Sequence, residues 1–174
     1  TFYYTIPMEI VCIALGGNMG DSSVIFDEAL QEIENNIGTI INNSSRYETA
    51  PWGNKSQDNF LNQVILVESN QAPQSILQKL LELENKMGRF RNINDQNAPR
   101  TLDIDILFYG NKIINEGNLV IPHPRLHLRN FVLIPLLEII PDFIHPLLKK
   151  SIRELLVENK DNLSVKKIEE PGKN

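Results

Sequence analysis

The chain has 174 residues, enough for one domain with a substantial core, and its 41% hydrophobic and 22% charged residues are ordinary for a soluble globular protein. A net charge of −5 argues against general affinity for nucleic acid or anionic membranes, and no apolar stretch nears the ~20 residues of a membrane span. The single cysteine, Cys12, excludes an internal disulfide and suits a reducing cytoplasm or organelle matrix.

The first seven residues lack a basic region followed by a long apolar core, so they make a poor signal peptide. Met8 offers a natural start, with residues 1–7 as a tag or linker; a piece of a longer multifunctional chain fits equally. Residues 9–17 are nearly continuously apolar and end in two glycines, which predicts a central strand. Asp21 or Ser22 caps a helix over about 23–37, where Phe26, Ala29, Leu30, Ile33 and Ile37 recur at helical spacing before Gly38. Residues 39–48 read as one strand, 49–58 as a loop and 60–69 as another strand. Pro73 opens a second helix over about 73–87, its faces set by Ile76, Leu77, Leu80, Leu81, Glu84 and Met87.

A polar, arginine-bearing loop over 89–100 leads into a strand that starts near Leu102, and Gly110-Asn111 is expected to turn it into a short partner at 112–115. Residues 130–140 read as a helix with Pro135 near its first turn or at a kink. Ser151 and Glu154 have capping-box spacing for a last helix over 151–159, with a final strand or frayed end beyond 160. The order β-α-β-β-α-β through residue 109 predicts a ferredoxin-like α+β fold in one domain over 1–174: an antiparallel sheet with helices on its faces, plus C-terminal helices. The fold by itself implies no activity.

The stretch PRTLDIDILFYG, residues 99–110, carries the strongest chemical signal. Alternation puts Asp103 and Asp105 on one face and Leu102, Ile104 and Ile106 on the other. Two bare carboxylates ~5 Å apart repel by about 3 kcal/mol at an effective dielectric near 20. Cations, protonation or open water must offset that. An edge strand with a solvated face is the plain explanation, and ion pairing with nearby arginines is another. Arg89, Arg91 and Arg100 precede the acids, and His123, Arg125, His127 and Arg129 follow them. Acids ringed by fixed cations also suit a metal–polyphosphate site, since Mg²⁺ takes one or two carboxylates plus phosphates and water while guanidinium forks grip phosphate oxygens. No phosphate-binding GxxxxGK[ST] loop, dinucleotide fingerprint, zinc-type Cys/His spacing or GxSxG occurs. Phe60, Asn62 and Phe131 are candidates for a flat heterocycle, although composition alone favours two core phenylalanines and a turn asparagine.

Five ordered stretches, ALGGNMGDS, YETAPWG with DNFLNQV, ELENKMGRFR, PRTLDIDILFYG and IPHPRLHLRNFVLIPLLEI, together resemble the 6-hydroxymethyl-7,8-dihydropterin pyrophosphokinase family of folate biosynthesis. The resemblance runs from about Ile10 to Ile140. It implies transfer of pyrophosphate from ATP to the pterin hydroxymethyl, releasing AMP. It further implies two Mg²⁺ ions on Asp103 and Asp105, with Arg91, Arg100 and both acids as the catalytic group. ATP is expected to meet Arg89, Arg91, Arg100, His123 and Arg129, with adenine near Ile106, Leu119 and Val120. The pterin is expected to stack between Phe60 and Phe131, bond Asn62, and meet the main chain around Thr49, Ala50 and Trp52. Gly17 stands where the family's GSN turn has serine, Asn97 where some members carry tryptophan, and Pro124 where others carry tyrosine. The partners implied are small molecules, with fusion to or association with other folate enzymes as a further option. The rival class is a ferredoxin-like module that binds nucleotide or a protein partner without turnover. A metal-dependent nucleotidyl or sugar-nucleotide enzyme is a weaker third reading and leaves Phe60, Asn62 and Phe131 without a role.

Overall fold

A computed structural model describes residues 7–51, 58–88 and 101–169. The chain runs β1 (Glu9–Gly17), α1 (Ser22–Asn36), β2 (Thr39–Asn43), β3 (Tyr47–Thr49), β4 (Phe60–Ser69), α2 (Pro73–Lys86) and β5 (Asp103–Tyr109). The main sheet has the order β5-β1-β4-β3, with β2 also paired to β4 and every pairing antiparallel. That is the expected ferredoxin-like arrangement, with β1 central.

Local chemistry fixes each helix end. Asp21 accepts the Val24 N–H at the start of α1, and Pro73 occupies the first turn of α2. Both helices press one face of the sheet. Phe26, Ala29 and Ile33 of α1 and Ile76, Leu80 and Leu83 of α2 join Val11, Ile13, Leu15, Ile65, Val67, Ile104 and Ile106 in one core. The other face is covered by α3 (Asn130–Ile139) and α4 (Ile152–Glu158). Val132, Leu133, Leu136, Ile152 and Leu155 pack there on Cys12, Val64, Leu66, Leu107 and Phe108. Burial on both faces is why β1 and β4 read as continuous apolar runs rather than alternating ones.

This second face changes character along its length. The row Leu66–Cys12–Phe108 is apolar, the next row is Val64–Ala14–Asp105, and the third is Asn62–Gly16–Asp103. Carbon gives way to small residues, amide and carboxylate over three steps. The covering helices sit on the apolar end and leave the polar end as the candidate site.

Two expectations need correction. Residues 39–48 form two strands rather than one. Ser44 interrupts them: its N–H donates to the Val64 carbonyl at 2.8 Å, and its hydroxyl accepts the Val64 N–H at 3.0 Å. Arg46 follows and turns to α1, where it pairs with Asp27 and reaches Ser23. Residues 112–115 do not pair with β5. Gly110, at a φ of 49°, and a Tyr109–Lys112 turn redirect the chain into β6 (Ile114–Glu116). That strand pairs with β7 (Leu119–Ile121) through Gly117-Asn118, where Gly117 takes the positive φ of 58° that a two-residue hairpin demands. Pro135 lies inside α3, and its ring nitrogen offers no donor to the Phe131 carbonyl.

Other expectations hold. The Ser151–Glu154 capping box is formed in both directions at 3.2 and 2.8 Å. Residues beyond 160 add β8 (Val165–Lys167), which extends the sheet beside β3. Tyr47 and Ser45 donate to Glu138 and tie β3 to α3. Burial alone would raise the Glu138 pKa, but these bonds outweigh it and hold the carboxyl below its ordinary value. No helix among the described residues is long and apolar enough to cross a membrane.

Candidate active site

The site forms where the second face turns polar. Asp103 and Asp105 lie on β5, an edge strand of the sheet, and both side chains are partly exposed on the expected shared face. The edge-strand reading is therefore correct as well, and it leaves open what else occupies that face. Gly16 and Ala14 are their partners across β1, so the strip beside the acids is floored by almost bare backbone.

A bulge ends the polar stretch. Ile106 pairs with Ile13 and Phe108 with Cys12, which leaves Leu107 as an extra residue. Leu107 and Phe108 both turn into the apolar end of the face. The Leu107 carbonyl accepts the His123 N–H at 3.0 Å, which draws the 122–129 loop against the acids. His123 Nε2 lies 3.9 Å from Asp105 Oδ2. Burial pushes the His123 pKa down to about 4; Arg129 and Arg125 repel a proton as well, while Asp103 pulls the other way. The imidazole is thus neutral at pH 7, and its approach to Asp105 is not an ion pair. Its Nδ1 accepts the Arg125 N–H at 3.2 Å, so the ring proton resides on Nε2, the nitrogen nearer the acids.

Asn62 occupies the same row as Asp103, one strand beyond Gly16. It is 6% exposed, so its amide must be satisfied. Nδ2 donates to Thr49 Oγ1 at 2.5 Å. A Cβ on Gly16 would stand 3.4 Å from Asn62 Oδ1, so the bare Cα of Gly16 gives that oxygen its room. Asn62 is a sheet residue and not a turn partner. Phe60 pairs with Thr49 at the end of β4 and is half-buried. Phe131, in the first turn of α3, packs beside the apolar cluster that includes Ala14 as a neighbour, and the Arg129 guanidinium lies 5.5 Å from its ring centroid.

The structure therefore brings Asp103, Asp105, His123, Arg129, Phe131, Asn62, Phe60 and Thr49 to one end of one sheet face or its rim. Ala50 follows Thr49 and is exposed. Ile106 and Leu119 bury their side chains in the α1–α2 core, so they have only main chain to offer a ligand, whereas Val120 is 39% exposed. Trp52, Arg89, Arg91 and Arg100 lie outside the described residues. His127 is drawn away from the acids: its ring meets His145 edge-on at 6.4 Å and lines a separate cavity of about 840 Å³ floored by Leu128, Leu148, Leu155 and Leu163. That cavity holds neither aspartate.

The donor set can be compared with a metal's needs. Among the described residues, no three His, Cys, Asp or Glu side chains are grouped to hold an ion by themselves. Two adjacent carboxylates match Mg²⁺ that arrives with phosphate and completes its shell with phosphate oxygens and water. Sequence reasoning gave Gly16 no part beyond a turn, although its place opposite both Asn62 and Asp103 makes it the floor of the site.

Comparison with known proteins agrees with this geometry. The model of the 7,8-dihydro-6-hydroxymethylpterin-pyrophosphokinase family matches residues 12–141. The chain belongs to that family. A pyrophosphokinase of Aquifex aeolicus, named 2-amino-4-hydroxy-6-hydroxymethyldihydropteridine pyrophosphokinase, is 38% identical over 152 residues, covering 87% of this chain and 93% of the relative. The like-named pyrophosphokinase of Haemophilus influenzae is 37% identical over 155 residues, covering 88% and 95%. Longer proteins contain the same unit. The folic acid synthesis protein fol1 of Pneumocystis carinii is 38% identical over 85% of this chain, which spans 20% of that protein. The crystal structure of Plasmodium falciparum HPPK-DHPS with pteroate superposes with a TM-score of 0.71 at 19% identity, over 90% of this chain and 44% of that one. At that identity the likeness is one of fold, and it supports the pyrophosphokinase architecture.

Proposed function

We propose that the chain transfers the pyrophosphoryl group of ATP to 6-hydroxymethyl-7,8-dihydropterin in folate biosynthesis, yielding the pterin diphosphate and AMP, and that residues 1–174 act as one pyrophosphokinase domain. The carrying observation is the polar row Asn62–Gly16–Asp103, which sets the Asn62 amide on the same sheet face as the paired acids. Family membership supports the reaction type.

In this reading Asp103 and Asp105 would be the residues that hold two Mg²⁺ ions together with the triphosphate. Such ions would supply charge neutralisation of the phosphates and a lowered pKa for the attacking alcohol. The chain's own residues do the rest. Asn62, fixed by Thr49, bonds the pterin edge, and Phe60 and Phe131 stack on its faces. His123 offers a neutral Nε2–H to phosphate oxygen, and Arg129 meets phosphate charge. Arg89, Arg91 and Arg100 are assigned to the triphosphate and to closing the site. The hydroxymethyl oxygen attacks the β-phosphorus in line as the bond to the α,β-bridging oxygen breaks. AMP leaves with that oxygen, and the hydroxyl proton passes to an aspartate or to water.

AMP release measured by chromatography should require both Mg²⁺ and the pterin, and should cease with EDTA. Pterin-independent loss of ATP, or no turnover with both present, would favour the non-catalytic module. A finer outcome concerns Thr49. Thr49→Val removes the acceptor that orients the Asn62 amide, so the KM for pterin should rise about fivefold to tenfold, in line with one hydrogen bond of ~1 kcal/mol, while the KM for ATP stays put. Equal effects on both substrates would contradict that role for Asn62.

A further inference from the structure

Glu84 is a charged residue in a costly place. It lies in the last turn of α2, is 1% exposed, and belongs to the helix face that carries Ile76, Leu80 and Leu83 into the core. Burial penalises a carboxylate, and so does the negative end of a helix. Its Oε1 accepts the backbone N–H of Ile104 at 2.7 Å. Ile104 is the residue between the two aspartates.

An edge strand leaves outward N–H groups without a ladder partner, free to shift or bind elsewhere. Here α2 supplies that partner at Ile104. Three residues on, the Leu107 carbonyl takes the His123 N–H at 3.0 Å. Asp105 is therefore held between two anchors from outside the sheet. Carboxylate positions matter at the level of tenths of an ångström for ligating Mg²⁺, which demands near-ideal geometry.

We propose that Glu84 is a positioning residue for the paired aspartates: by taking the Ile104 N–H, its carboxylate fixes the edge strand from which both acids project. It acts from the opposite face of β5 and touches no substrate. This inference rests on the metal-binding reading of Asp103 and Asp105.

Glu84→Met fills similar volume without an acceptor, and Glu84→Gln keeps an acceptor without the charge. Per folded molecule, Glu84→Met should lower kcat at least tenfold and raise the Mg²⁺ concentration for half-maximal rate at least fivefold, with the KM for pterin unchanged. Glu84→Gln should restore most of that loss. A readout independent of turnover is the Ile104 amide in metal-free protein: its hydrogen exchange should be slow in the wild type and in Glu84→Gln, and at least tenfold faster in Glu84→Met. Should Glu84→Met fail to fold, Glu84→Gln decides the matter. A folded Glu84→Gln protein with fast Ile104 exchange or with weakened Mg²⁺ dependence overturns the proposal, as does a Glu84→Met enzyme with normal Mg²⁺ dependence. If the wild type itself releases no AMP, the functional reading fails instead, and slow Ile104 exchange alone does not rescue it.

Discussion

Asp105→Ala should lower pyrophosphoryl transfer by about 10³-fold or more, because removing one preorganised electrostatic partner of a developing charge typically costs ~3–4 kcal/mol. The fold should survive. The Asp105 side chain is 42% exposed, its partner across β1 is Ala14, and its approach to His123 is not an ion pair at neutral pH. Removing one of two like charges on one face relieves repulsion, which offsets the other interactions that Asp105 makes, so the melting temperature should change little. Loss of function with little change in stability marks a residue kept for chemistry rather than for folding. Single-turnover assays beside thermal unfolding read both quantities. Turnover near the wild-type rate at saturating Mg²⁺ and ATP would remove Asp105 from the mechanism.

Gly38→Ala should do the reverse and strike the fold first. Gly38 follows α1 and lies against β4, where an added Cβ would stand 2.2 Å from the Glu68 carbonyl oxygen and 3.0 Å from Ser69 Cβ. The obstacle is backbone, which cannot swing aside as a side-chain tip does. Overpacking of this kind costs typically ~1–3 kcal/mol, and this contact belongs at the upper end or beyond. Against a total of roughly 5–15 kcal/mol, that is a large share. Urea unfolding should show the midpoint fall with the slope unchanged. A loss under about 0.5 kcal/mol, the range of ordinary surface substitutions, would mean that α1 does not end against β4 as described.

Where local pattern and tertiary demand agree, the sequence was legible. The apolar run of β1, the helical spacing of α1 and α2, the Ser151–Glu154 box and the alternation of β5 each carry their own signal, and each element formed within a residue or two of its expected bounds. What misled was decided by distant partners. The break at Ser44 depends on the Val64 backbone, and the pairing of β6 depends on a turn that steers the chain away from β5. The candidate site divides the same way. That Asp103 and Asp105 share a face follows from a period of two. That Asn62 shares the row of Asp103 follows only from the register of three strands. Glu84 left a trace, an acid one turn beyond Leu80 on an apolar stripe, but its partner lies 20 residues away and no spacing rule names it.

The graded face of the sheet has a further consequence. The greasy half, cemented between α3, α4 and the three strands, and the wet half that carries the acids are successive stretches of the same backbones. Stiffness made in one half is inherited by the other along the shared strands. A unit built this way brings its own foundation, so loops around the wet rim can lengthen and whole polypeptides can be joined at its ends while the acids keep their spacing.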